Sequence, residues 1–149
     1  MKRETALLVG RCLLVMSLLW GGFVKIRYLS GTAAYMKETG MPCSGEPLAL
    51  AAGLIEFVGA ILIMVGCRTR EAAVVLLVYL IPVTWYSHLA VAQRAADAVT
   101  RDNEMFQTLR NVAIMGGLIL LWVLGSGAHS LDARGAMDSR PRPRRQGRA

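Results

Sequence analysis

Glu56 lies near the middle of Leu48 to Gly66, a run of 19 residues with no other charge. At ~1.5 Å of rise per residue such a run crosses a bilayer as a helix. A carboxylate at that depth costs roughly 2.5–3.5 kcal/mol on insertion scales. It persists there only with a partner, a proton or a task. Three other side chains on the neighbouring apolar segments can supply these: Arg11 and Lys25 before it, and His88 after it. Buried carboxylates have raised pKa values, which suits a Glu56–His88 pair to proton exchange near neutral pH with a carrier such as a quinone.

The spacing of these residues fixes their faces. Arg11 and Lys25 are 14 residues apart, so on a helix they lie within about 40° of one another, with Gly22 on the same face. Depth counting offsets each from Glu56 by roughly 7–12 Å along the axis, a gap that long side chains can largely close. Around Glu56, helical spacing selects Ala49, Ala52, Gly53, Gly59 and Ala60. Stripes of small residues permit close approach of helix backbones, so Glu56 is expected to face inward. Thr84 shares a face with His88, and Pro82 is expected to bend that helix and free a carbonyl. Asn111 opens the last apolar segment, with Met115, Leu118 and Trp122 on its face. Lys25, His88 and Asn111 thus share one half of the membrane, with Glu56 deeper.

These residues sit on four apolar blocks: 6–24, 48–66, 72–92 and 109–124. Hydrophobic residues make up 54% of the 149, and mean hydropathy is +0.44. The blocks consume most of the chain, which leaves no room for a soluble catalytic domain. The expected fold is all-α, a four-helix transmembrane bundle over residues 1–133. A short outer helix is expected over 31–40, capped by Thr32 and ended by Gly40 and Pro42. The first block resembles a secretory signal, but its length, Arg11 and the lack of an A-x-A site predict a retained helix. Residues 134–149, rich in Arg and Pro, are expected to be a disordered tail whose six arginines could attract anionic lipid.

Ten basic residues, including Arg68, Arg70 and the tail arginines, fall on the side of the two termini, against six on the other side. The positive-inside rule then places both termini in the cytoplasm. Cys12, Cys43 and Cys67 have no metal-type spacing, and no iron–sulfur, flavin or nucleotide motif is present. A lone histidine in the spans argues against haem held by two histidines. No metal or other cofactor is therefore expected beyond a quinone, and no nucleic-acid partner.

The chain resembles the DoxX family of small bacterial inner-membrane proteins. The resemblance rests on an ordered set: Arg11, Gly22-x-x-Lys25, Gly31-Thr32-Ala33-Ala34-Tyr35, Gly40-x-Pro42, Glu56 and Gly66-x-x-Thr69-Arg70. It continues with His88, Arg110-Asn111-Val112-Ala113-Ile114-x-Gly116-Gly117, Gly125-Ser126-Gly127 and Ser130-Leu131-Asp132-Ala133. It implies a multi-pass protein of the inner membrane with four helices. The family is named from a subunit of a thiosulfate:quinone oxidoreductase, and some members look like membrane anchors for thiol and oxidant defence complexes.

Two readings follow. One is the membrane component of a redox system, quinone-linked, with Glu56 and His88 catalytic and Arg11, Lys25, Arg70 and Asn111 binding or ion-pairing. The other is a non-enzymatic scaffold that recruits soluble redox proteins at the cytoplasmic face, with the polar cluster serving only to hold helices together. Membrane lipid is a partner in both, and both are compatible with an oligomer. A small-solute transporter is disfavoured by the lack of an internal repeat.

Overall fold

The computed structural model describes residues 3–138. Among them the elements are α1 (Arg3–Arg27), α2 (Leu29–Glu38), α3 (Glu46–Val65), α4 (Thr69–Thr84), α5 (Ala90–Arg94), α6 (Ala98–Leu124) and α7 (Leu131–Asp138). A π-helical segment, Trp85–Leu89, joins α4 to α5. Four stretches are long and apolar enough to cross a membrane: Glu4–Arg27, Glu46–Val65, Thr69–Arg94 and Ala98–Leu124. In such a setting only helices, which satisfy their own backbone groups, can span.

The spans run α1, α3, α4 with α5, then α6. Consecutive spans pack side by side, and α6 closes the bundle only loosely on α1. Val15, Leu18, Ile63, Leu76, Leu80 and Leu118 are almost fully buried and form the centre. The outward faces carry Leu13, Trp20, Val78, Ile81, Leu120 and Val123, all exposed, which is the composition a lipid-facing surface needs. A second, smaller cluster sets α2 against α3, with Met36 on Ala49 and Ala52. Tyr79 of α4 packs against both clusters.

Local signals explain the ends of the elements. The turn from α3 to α4 is a Schellman motif: Gly66 N–H donates to Ile63 O and Cys67 N–H to Leu62 O. Gly66 has φ +72°, and a Cβ there would stand 2.5 Å from Ser130 Cβ, so glycine is required twice over. Arg68 follows in the left-handed region at φ +47°. Its N–H is held by Asp132 Oδ1 at 2.7 Å, which offsets that strain.

Several boundaries differ from the sequence expectation. The fourth span begins at Ala98 and not near 109, because Asp97 caps it by accepting the Thr100 N–H at 2.8 Å. The outer helix begins at Leu29, and Thr32 does not cap it; its hydroxyl instead donates back to Tyr28 O at 3.0 Å. The bend expected from Pro82 takes the form of the π-helical segment just beyond it. The chain expected to be irregular from 134 is helical as far as Asp138. The remaining tail, residues 139–149, lies outside the described residues.

Candidate functional site: a buried lysine–glutamate–tyrosine cluster

Close approach of α1 and α3 builds the site. A Cβ on Gly22 would stand 2.6 Å from Phe57 N and 2.9 Å from Gly53 O. One on Gly53 would meet Ile26 at 2.8 Å and Lys25 Cβ at 3.2 Å. With no side chains between them, the two backbones place Lys25 one turn from Gly22 and Glu56 one turn from Gly53, directly opposed.

The Lys25 ammonium pairs with Glu56 Oε2. The Glu56 side chain is 7% exposed and that of Lys25 is 23% exposed. The Tyr79 hydroxyl also donates to Oε2, at 3.4 Å. Oε1 makes no hydrogen bond among the described residues and lies against Gly21, where a Cβ would stand 3.0 Å away. One carboxylate oxygen is therefore held by a cation and a phenol. The other remains open in a space that exists because residue 21 is glycine.

Arg11 does not reach Glu56. Helix side chains lean toward the N-terminus, and that lean carries Arg11 to the end of the bundle where α1 begins and α7 follows α6. There its guanidinium donates to Met64 O at 3.3 Å, Ser126 O at 2.5 Å and His129 O at 2.5 Å, at 2% residual exposure. It ties α1 to the end of α3 and to the turn after α6. Glu4 accepts the Ala128 N–H at 2.7 Å in the same assembly. Asp132 closes it by accepting from the Arg68 and Thr69 N–H groups and the Thr69 hydroxyl. Burial pushes the Asp132 carboxyl up, but these hydrogen bonds outweigh it and leave the group below the ordinary aspartate value. Arg70 donates to Val123 O at 3.3 Å on this end, away from Glu56.

His88 is not paired with Glu56. Its Nδ1 lies 2.7 Å from Glu104 Oε2, with both side chains mostly buried. Glu104 was missed because residues 93–108 read as an outer connection, helical only in part; the early start of α6 brings it beside His88. Above this pair the Tyr35 hydroxyl of α2 donates to Ser87 O at 2.6 Å, inside the π-helical segment. Partial burial, then the Glu104 carboxylate, push the Tyr35 phenol up to about 12. Asn111 Nδ2 donates to Thr84 Oγ1 at 3.2 Å and joins α6 to α4.

The expected cluster is thus three. Lys25 and Glu56 come together, His88 and Asn111 take partners of their own on α6 and α4, and Arg11 and Arg70 serve the end where α1 begins. Tyr79 is the residue that sequence reasoning missed at the centre. Its signal was a tyrosine inside the apolar run 72–92, where a buried hydroxyl needs a partner. Among the described residues no group of three or more His, Cys, Asp or Glu is placed to hold a metal ion, and the three cysteines are free.

Comparison with known proteins agrees with this architecture. The inner membrane protein YphA of Escherichia coli K12 is 34% identical over 134 residues, covering 89% of this chain and 91% of the relative. The inner membrane protein YqjF of the same organism is 30% identical over 129 residues, 87% of this chain and 91% of the relative. An uncharacterised protein of Haemophilus influenzae is 31% identical over 111 residues, 70% of this chain and 78% of that protein. No solved structure matches. The four spans and these relatives make this a multi-pass inner-membrane protein. The DoxX family pattern covers residues 6–89, more than half of the chain and every residue of the Lys25–Glu56–Tyr79 cluster, and the chain belongs to the DoxX family.

Proposed function

We propose that this protein is the membrane component of a redox system, and that Lys25, Glu56 and Tyr79 handle protons for a carrier of the quinone class. The observation that carries this reading is the asymmetry of the Glu56 carboxylate. Oε2 takes both Lys25 and Tyr79, while Oε1 is left as an acceptor against Gly21. A quinone supplies two-electron chemistry that takes up or releases protons, and a protein serving it at bilayer depth must move those protons through its own side chains.

The residues present fit that demand. Glu56 can hold or release a proton at Oε1 while Lys25 stays on Oε2 and offsets its charge. Tyr79, whose hydroxyl already points at the carboxylate, is positioned to donate as that charge changes. The approach from the bilayer that this reading requires is the α1–α6 seam. Gly21 is two turns from Leu14, and Leu14 marks the loose seam between α1 and α6, where it lies against Gly117. An apolar molecule dissolved in lipid would approach along that seam.

Titrating a quinol analogue, whose hydroxyl can donate to Oε1, into the protein in lipid nanodiscs tests the reading. The native chain is expected to bind it, and Glu56→Gln to weaken binding roughly ten- to a hundredfold, the worth of one hydrogen bond to a charged group. Equal binding by both proteins, or none by the native chain, overturns the proposal.

One observation favours the scaffold reading as a second possibility. Arg11, Glu4 and Asp132 fix α7 and both adjoining turns into one ordered surface at the end where α1 begins. A docking platform needs such a surface, whereas a proton-handling cluster far along the spans does not. Deleting residues 134–149 tests whether soluble proteins are recovered through that end. Unchanged recovery removes the tail from the scaffold reading.

A further inference from the structure

The seam between α1 and α6 stays open at the end of the bundle where α1 begins. A slot of about 230 Å³ lies there between Gly10 and Leu14 of α1 and Gly117 and Leu120 of α6. Its wall is apolar except for Arg11, whose guanidinium is spent on three carbonyls. From Ala6 to Leu14 it runs about 12 Å along the helix axis. Gly10 looks onto open space, since a Cβ there would meet nothing within 4 Å.

The slot adjoins a second, polar cleft. Leu124 lines both. Leu7, a wall of the slot, lies 3.1 Å from where a Cβ on Gly127 would stand, and Gly127 lines the cleft. The cleft has a volume of about 440 Å³ and holds the exposed side chains of Arg68 and Arg70. Arg70 is steadied by Val123 O, with its Nε 3.5 Å from the Cβ position of Gly125. Of the nearby carboxylates, Asp132 is committed to the start of α4 and Glu4 to the Ala128 N–H. Glu71 and Asp132 both line the cleft, which thus holds two carboxylates beside two guanidiniums, but neither arginine is paired with a carboxylate among the described residues.

An apolar slot at bilayer depth that adjoins two arginines with no carboxylate partner at the membrane surface has the chemical outline of one molecule. We propose that this end of the bundle binds an anionic phospholipid, with an acyl chain in the α1–α6 slot and its phosphate against Arg68 and Arg70. The arginines give the site its preference for charge, and the slot holds the chain. A free phosphate would satisfy only the first half.

The full-length protein, purified in detergent, tests this by native mass spectrometry and thermal unfolding with phosphatidylglycerol, phosphatidylcholine or inorganic phosphate added. Phosphatidylglycerol is expected to be retained and to stabilise, phosphatidylcholine to be retained less, and phosphate to have no effect. Arg68→Gln with Arg70→Gln is expected to lower the preference for the anionic lipid by roughly fivefold per arginine. The basic residues beyond Asp138 are present in every variant, so their contribution cancels. Gly10→Leu fills the slot and also favours the helix, so it should lower retention of both lipids without unfolding the protein. The proposal is overturned if the double arginine variant keeps the full preference, or if Gly10→Leu retains as much lipid as the native chain. Equal stabilisation by inorganic phosphate would also overturn it, in favour of a free-anion site.

Discussion

Gly22 of α1 lies against the backbone of Phe57 on α3, so close that a Cβ would stand 2.6 Å from the Phe57 nitrogen. Backbone cannot give way as a flexible side chain can, so Gly22→Ala must push the two helices apart. Over-packing of this kind costs about 1–3 kcal/mol. Gly10→Ala is the matched control: nothing lies within 4 Å of its Cβ, and gains in helix propensity should leave it neutral or slightly stabilised. Thermal unfolding of the two variants side by side checks the prediction. Equal midpoints would mean that the approach at Gly22 does not hold the bundle together.

The same approach opposes Lys25 to Glu56, and the pair should be strongly coupled. Lys25→Met leaves the carboxylate buried without its cation, a loss of roughly 3–5 kcal/mol. Lys25→Met combined with Glu56→Met removes both charges and should recover most of that stability, because well-packed apolar residues often replace a buried pair without loss. Recovery of stability without recovery of quinol-analogue binding would separate the role of Glu56 in a site from its role in packing. A double variant less stable than Lys25→Met alone contradicts the coupling.

Arg11 should behave as a structural tie. Its fork spans carbonyls on α3 and on the turn after α6, a geometry that the single ammonium of lysine cannot reproduce. Arg11→Lys is therefore expected to loosen the 126–130 turn and α7 nearly as much as Arg11→Met. Limited proteolysis should cut both variants faster than the native chain in that turn. Binding of a quinol analogue at Glu56 should change little, since Arg11 does not touch that cluster. Slow cleavage in Arg11→Lys would show that charge alone suffices.

Much of this architecture was legible in the residues. Four apolar runs gave four spans, and the stripe of Ala49, Ala52, Gly53, Gly59 and Ala60 gave the inward face of Glu56; all five are buried with it. The choice between Arg11 and Lys25 was not legible, since axial counting left both within reach. The lean of helix side chains favoured Lys25, and what completed the choice was the cluster of turn carbonyls awaiting Arg11, which no spacing encodes. His88 found Glu104 because a polar stretch, 98–108, extends a helix instead of connecting two. Its cap, Asp97 with Thr100, was written in the sequence but outweighed there by polarity. Tyr79 shows the same limit: a tyrosine in an apolar run reads as packing until its hydroxyl has a partner.

The Tyr35 contact gives a pH-dependent prediction. Its hydroxyl holds α2 to the π-helical segment through Ser87 O, and its folded pKa is raised from 10.0 to about 12, first by burial and then by Glu104. A phenol whose pKa is raised on folding favours the fold in its neutral form. The contribution is fully present below the ordinary tyrosine value and is lost as pH rises through about 12. Hydrogen exchange across Leu29–Glu38 should therefore be unchanged by this group from neutral pH to about 10 and should show extra opening above it. Tyr35→Phe cannot donate to Ser87 O, so it should already show that opening at neutral pH, by roughly 1 kcal/mol, and should lack the alkaline step. A Tyr35→Phe protein that retains the step would assign it to another group. Burial raises the phenol and Glu104 adds to it, so undocking α2, which removes both along with the bond to Ser87 O, returns Tyr35 to its ordinary value.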